Sequence, residues 1–262
     1  MADKLKTAEL PRANVLGVGI TALNLDTATA AVLNALEQSR RGYVCVTGVH
    51  GVSEAQSDPA FRQILNHSFL CTPDGMPMVW MGKLQGFQDM SRVYGPDLML
   101  RICQATSFGN YTHFLYGGAP GVAEGLKSKL ESRFPGLRIV GLYSPPFRPL
   151  DAAEESALES RIASLKPDII WVGLSTPKQE KFMAQYWNKL DAKLFFGVGA
   201  AFDFHAGRMR QAPRWMQSCG LEWLFRLGCE PRRLWKRYLK NNPLFIFRAF
   251  CQITRLRRYS LE

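Results

Sequence analysis

Ile169-Ile170-Trp171-Val172-Gly173 runs directly into Leu174-Ser175-Thr176-Pro177-Lys178-Gln179-Glu180. A short apolar strand ends at a glycine, a polar turn follows, and Pro177 sets the start of a helix. The same unit recurs along the chain. Strand-like runs lie at Tyr43–Thr47, Phe69–Thr72, His113–Tyr116, Arg138–Gly141 and Leu194–Val198, each followed by Gly, Pro or a polar turn. Between them, Gly121–Arg133 places Val122, Leu126 and Leu130 at helical spacing, and Asp151–Leu165 does the same with Ala153, Ala157, Leu158, Ile162 and Leu165. Towards the amino terminus, Val15–Asn24 reads as a short strand or hairpin, and Asp26-Thr27 as the N-cap of an Ala/Leu helix running to about Arg40. Such alternation predicts an α/β fold, a largely parallel sheet with helices on both faces. Ligands bind such sheets at the carboxyl ends of the strands, so the loops there are where chemistry is to be sought.

With 262 residues, 47% of them hydrophobic, the chain can bury a sizeable core, which excludes a disordered protein. The longest apolar stretches, Leu194–Phe204 and Pro243–Phe250, fall short of the roughly 20 residues of a membrane-spanning helix. Met1 to Arg12 has no apolar run of the signal-peptide kind, so a cytoplasmic protein is expected. The six cysteines form no CxxC pair and lie mostly in apolar runs, which predicts buried free thiols and neither zinc nor a disulfide framework.

Charge is distributed very unevenly. Residues 207–262 hold 13 Lys/Arg against 3 Asp/Glu, a local +10 of the chain's +11. This change of composition near Gly207 divides the chain into an α/β core, 1–206, and a C-terminal basic, aromatic helical appendage, 207–262. Large rings alternate with the cations, as in Trp223-Leu224-Phe225-Arg226 and Arg232-Arg233-Leu234-Trp235-Lys236-Arg237-Tyr238. Cations beside amphipathic rings suit an anionic membrane surface. A solvated basic face over a packed helix is the plainer reading, and phosphates of nucleic acid are a third, although nothing in the tail matches a nucleic-acid module.

Four post-strand loops are unusually polar or glycine-rich: Thr47-Gly48-Val49-His50-Gly51, Thr72-Pro73-Asp74-Gly75, Tyr116-Gly117-Gly118-Ala119-Pro120-Gly121, and Gly173 to Glu180. Gly117 and Gly118 before a helix form either an ordinary turn or a diphosphate cradle, without a Walker ending or a full GxGxxG. Asp74, between Pro and Gly at a strand end, is either an Asx-turn carboxylate or a base facing the cleft. Gln179 can point its amide into the same cleft. His113, inside a strand, reads as a core histidine, whereas His50 belongs to a candidate site loop. No HxxxH, HExxH, DxD or clustered Asp/Glu pattern occurs, so no protein-held metal is expected, and the basic tail is the available source of cations for a leaving diphosphate.

Seven motifs in this order carry a resemblance. They are Thr72-Pro73-Asp74-Gly75, Arg92-Val93-Tyr94-Gly95-Pro96-Asp97-Leu98, Tyr116-Gly117-Gly118, Pro177-Lys178-Gln179-Glu180, Gly197 to Gly207, Arg210-Gln211-Ala212-Pro213-Arg214-Trp215-Met216, and Gly220-Leu221-Glu222-Trp223-Leu224-Phe225-Arg226. From about Val15 to Tyr238 the chain resembles the WecG/TagA/CpsF glycosyltransferases. The resemblance implies a Rossmann-like core of the GT-E type and an inverting, metal-independent transfer with no cofactor. The UDP-sugar donor, of the UDP-glucose or UDP-N-acetylmannosamine type, is a substrate, and the acceptor is a polyprenyl-diphosphate-linked saccharide in exopolysaccharide or cell-envelope synthesis. It also implies peripheral attachment to the cytoplasmic face of the plasma membrane; with no nucleic-acid module in the tail, no nucleic-acid partner is expected.

Carried onto these residues, it makes Asp74 the general base and has Gln179 and Thr47 hold sugar or acceptor hydroxyls. Arg92 stands near acceptor or diphosphate. Asp203 contacts the nucleotide or caps the adjacent turn. Arg226 and Arg233 reach the leaving diphosphate, and Lys236 stands where an arginine is common. The first loop departs from the family's Thr-x-Asn, so either Thr47 or His50 fills its role. This loop, Gly-Pro-Asp-Leu and the segment Ser144 to Pro149 look more like the exopolysaccharide branch, such as the xanthan-type glucosyltransferase. An epimerase-like nucleotide-sugar enzyme is the alternative within enzymes, but GxGxxG and a Tyr-x-x-x-Lys pair are missing.

Overall fold

The computed structural model describes residues 10–261, so most of the amino-terminal stretch read for a signal peptide lies outside the described residues. An antiparallel hairpin, β1 (Arg12–Val15) and β2 (Val18–Thr21), leads into α1 (Leu25–Glu37) and β3 (Gly42–Thr47). Two short helices, α2 (Val49–Glu54) and α3 (Pro59–Asn66), precede β4 (Leu70–Pro73), α4 (Met76–Leu84) and α5 (Gly95–Thr106). Next come β5 (Thr112–Gly117), α6 (Val122–Arg133), β6 (Arg138–Tyr143), α7 (Ala152–Leu165), β7 (Ile169–Gly173), α8 (Lys178–Tyr186), β8 (Leu194–Gly197) and α9 (Ala201–His205). Three helices end the chain: α10 (Arg214–Ser218), α11 (Glu222–Cys229) and α12 (Pro231–Ile253).

Strands β3 to β8 form one parallel sheet in the order β4-β3-β8-β7-β5-β6, the Rossmann-like arrangement expected. Successive strand residues serve opposite faces, because side chains alternate along an extended backbone. On β7, Ile169 and Trp171 enter the layer made by α1, α5 and α6, while Ile170 and Val172 enter the layer made by α3, α7, α8 and the hairpin. Both faces are therefore covered, as a parallel sheet requires. His113 is a satisfied core histidine: the Trp171 indole N–H donates to Nδ1 at 3.0 Å, and Nε2 lies 3.0 Å from Thr106 Oγ1. Burial pushes its pKa down to about 4.

Some local expectations shift. Helix α1 is capped by Asn24, whose side chain accepts from Thr27 N while Thr27 Oγ1 accepts from Asn24 N, so Asp26-Thr27 sit inside the first turn. Of the cysteines, Cys45, Cys71 and Cys103 are buried in the sheet layers, but Cys219 and Cys229 are exposed on the C-terminal helices. Those helices make few apolar contacts, and α11 has no buried residue at all. Helix α12 is the exception. Its Phe245 and Ala249 join the core, and Gln252 Nε2 donates to Asn14 O at 2.8 Å while its Oε1 accepts from Leu16 N at 2.9 Å, which closes the chain's end onto the first hairpin.

Candidate active site

The carboxyl ends of β3, β4, β7 and β8 open into a cavity of about 1010 Å³ whose opposite wall is α11 and α12. Asp74 follows the last residue of β4 and stands on this wall, its amide donating to Thr47 O at 2.9 Å. The backbones are close there: a Cβ on Gly48 would come within 2.5 Å of Asp74 O, so the first loop needs glycine. Burial pushes the Asp74 carboxyl up to about 6 against the pull of Arg92 and Arg226, while Glu222 and Asp97 push the same way as burial. Among the described residues no side chain donates to it. A half-buried carboxylate with that proton affinity is suited to take a proton near neutral pH.

Seven predicted residues meet in the cavity: Asp74, Gln179, Arg92, Asp203, His50, Arg226 and Arg233. Arg226 and Arg233 come from different helices and share one anchor, Glu230, at 3.9 Å and 2.6 Å. Asp203 faces both, and burial raises its pKa while Arg233, Arg208 and Arg226 lower it. Its backbone carbonyl accepts from Arg208 N and Met209 N, bonds that leave the carboxylate itself uncommitted to the turn. Arg92 has less freedom to meet a ligand. Nη1 donates to Gln217 at 3.0 Å, Nη2 pairs with Glu222, and the guanidinium stacks 3.9 Å from the Tyr94 ring centre. His50 lies 3.3 Å from Asn241 Nδ2 of α12 and 3.6 Å from Glu54, and its pKa is lowered, first by burial and then by Arg237.

Four predicted residues lie off the cavity wall. Thr47 is buried behind Asp74, its hydroxyl oxygen accepting from Cys71 Sγ at 3.3 Å. Lys236 is exposed beside Trp235. Gly117 and Gly118 serve packing: at φ +124° a Cβ on Gly117 would stand 2.6 Å from Gly173 O, since the ends of β5 and β7 touch backbone to backbone, and a Cβ on Gly118 would press on Val122.

Other contributors escaped the sequence reading. Arg237 lines the cavity one turn beyond Arg233, with Asn241, Phe245, Ala249 and Ile253 continuing the same face of α12. That i, i+4 stripe was the available signal. Two family motifs also have partners far along the same chain. Asp97 takes Arg214 in a two-point contact at 2.8 Å and 3.3 Å, and Glu222 takes Arg92. At the rim, exposed Trp80 and Leu84 of α4 oppose exposed Ile246, Phe250 and Ile253 of α12. Among the described residues no three His, Cys, Asp or Glu side chains cluster as metal ligands.

The parallel sheet thus opens into a cleft that holds a half-buried carboxylate, arginines facing it and an apolar rim. The chain belongs to the Glycosyl transferase WecG/TagA/CpsF family, whose description matches residues 13–259. It is 32% identical over 185 residues to the N-acetylglucosaminyldiphosphoundecaprenol N-acetyl-beta-D-mannosaminyltransferase of Bacillus subtilis (strain 168), covering 71% of this chain and 70% of that one. It is 28% identical over 204 residues to the protein of the same description from Bacillus spizizenii, covering 78% and 77%. No helix among the described residues is long and apolar enough to cross a membrane.

Proposed function

We propose that this protein moves a sugar from a UDP-linked donor to a polyprenyl-diphosphate-linked saccharide, with inversion and without a metal ion, while held at an anionic membrane surface on its cytoplasmic side. The observation that carries the reading is one cavity shared by Asp74 and by Arg226, Arg233 and Arg237, with an apolar rim above them. In the reaction, the acceptor hydroxyl gives its proton to Asp74 as its oxygen bonds to the anomeric carbon from the side opposite UDP. The bond from that carbon to the diphosphate breaks, and its electron pair stays on the leaving oxygen. The arginines stabilise this charge, and because Glu230 already holds Arg226 and Arg233, little ordering remains to be done at that moment. Only one carboxylate is needed, since inversion involves no covalent sugar–enzyme intermediate and the diphosphate leaves as an anion that needs no general acid.

The stripe on α12 also suits a lipid-linked acceptor, because its cationic end fits the diphosphate and its apolar end, with Trp80 and Leu84, fits the first isoprene units and the bilayer surface. The relatives' names support N-acetylglucosaminyl-diphospho-undecaprenol as the acceptor to try first. The test is a panel in which UDP-N-acetylmannosamine and UDP-glucose are offered with that acceptor in EDTA, the product's anomeric configuration being read by NMR. Inverted product from one donor is expected. Absence of transfer from every UDP-sugar overturns the reading, and loss in EDTA restored by Mg²⁺ overturns its metal-free part.

A further inference from the structure

Gln179 and Glu180 are both almost completely buried, at 3% and 1% exposure, at the start of α8. Glu180 has no cationic partner among the described residues. Its Oε1 instead accepts two hydrogen bonds, from Gln179 Nε2 at 3.0 Å and from Thr176 Oγ1 at 2.8 Å. Gln179 Oε1 has no partner among the described residues and lies beside Gly199, in the turn after β8 on the cavity wall. An amide has one acceptor end and one donor end, and only its surroundings decide which faces where. A carboxylate oxygen cannot donate, so turning the Gln179 amide over would set two acceptors against each other. Glu180 does not itself line the cavity.

We infer that Glu180 is a positioning residue that locks the Gln179 amide with its oxygen towards the substrate, so that Gln179 recognises a hydrogen-bond donor, a sugar hydroxyl or an acetamido N–H, and discriminates against a group that can only accept. Burial raises the pKa of Glu180, and the lock belongs to its ionised form, in which both oxygens only accept. The inference deepens the proposed function and rests on its assignment of Gln179 to the substrate.

The experiment compares Glu180→Leu, which has no acceptor, with Glu180→Gln, which keeps one. It reads the Gln179 side-chain amide by ¹⁵N NMR of the full chain, and kcat and KM separately. In the parent protein the Gln179 amide protons should be shifted downfield and protected from exchange. Glu180→Leu should abolish that protection and lower kcat/KM on the order of 10-fold or more, while Glu180→Gln stays within about 3-fold. Gln179→Glu, which faces a second carboxylate, should fall as far as Glu180→Leu. The double variant Gln179→Glu/Glu180→Gln reverses the bond's direction, still offers an acceptor to the cavity, and should recover activity over Gln179→Glu, a result that mere loss of folding could not give. An unchanged Gln179 amide in Glu180→Leu, or no recovery in the double variant, overturns the lock. A changed amide together with full activity of Gln179→Ala supports the lock and overturns the placing of Gln179 at the substrate.

Discussion

The carboxyl edge of the sheet and the three C-terminal helices face each other across one cavity and are made of opposite materials. On the sheet side, glycine backbone, Asp74 and Gln179 are fixed by strands whose side chains are buried on both faces. On the helical side, α11 buries nothing, and its attachment rests on its neighbours and on Arg92–Glu222. That pair is mostly shielded, whereas Arg214 of the second tie, Arg214–Asp97, is 77% exposed. A shielded pair that loses one partner costs several kcal/mol, and an exposed one costs at most about 1. The comparison teaches that the cleft's carboxylate and amide sit on the rigid side, and its arginines and apolar rim largely on the side held by few bonds.

The hardest test of that division is truncation after Gly207, which removes Phe245 and Ala249 from the core and one whole wall of the cavity. Transfer to a lipid-linked acceptor and sedimentation with anionic vesicles should both be lost. A truncated protein that is folded by circular dichroism and still active would show the sheet side to be sufficient.

Asp74→Asn should come next, with about 10²–10⁴-fold lower kcat in single-turnover assays. The parent's kcat/KM should fall off below an apparent pKa near 6, and the variant should lack that limb. Stability should move the other way. Because the folded-state pKa lies above the unfolded value, the folded chain binds more protons between about pH 4 and 6, and stability is lost as pH rises through that window. At pH 7 the variant should therefore be more stable in urea, on the order of 1–2 kcal/mol. A destabilised variant would mean that the carboxylate is held by contacts rather than strained by burial.

Smaller effects sharpen the helical side. Arg233→Ala should lower transfer roughly 10²-fold with vesicle binding nearly intact, since it removes a cavity cation but little of the tail's charge. Full activity would reduce α12 to an anchor. Glu222→Ala should leave Arg92 half-paired and reduce stability by about 3 kcal/mol in urea titration, whereas Asp97→Ala should cost about 1 or less. Lys236→Ala, off the cavity wall, should change turnover less than about 2-fold.

Much of the core was legible because its signals are local. β7 spans Ile169–Gly173 as read, and α7 begins after Asp151, whose side chain accepts from Glu154 N. The place of Asp74 on the cavity wall was legible too, since Pro and Gly flanked it at a strand end. The Gly117-Gly118 loop was ambiguous for a physical reason: glycine permits a close approach without saying whether a phosphate or another backbone makes it, and here Gly173 does. Thr47 and His50 could not be ranked from spacing, because one turn of α2 decides that Thr47 lies behind Asp74 while His50 reaches α12.

By itself, then, the order of residues determined the strand and helix periods, the parallel class of the sheet, the excess of positive charge beyond Gly207 and the carboxylate at the end of β4, all of which depend on near neighbours in the chain. Only the tertiary structure decided that Arg237 joins Arg226 and Arg233, that Glu222 and Asp97 bind Arg92 and Arg214, and that Glu180 orients Gln179. The ion pairs join residues more than a hundred positions apart, and the amide's direction depends on which atom of a buried neighbour it meets. Hydrophobic periodicity does not record either of these.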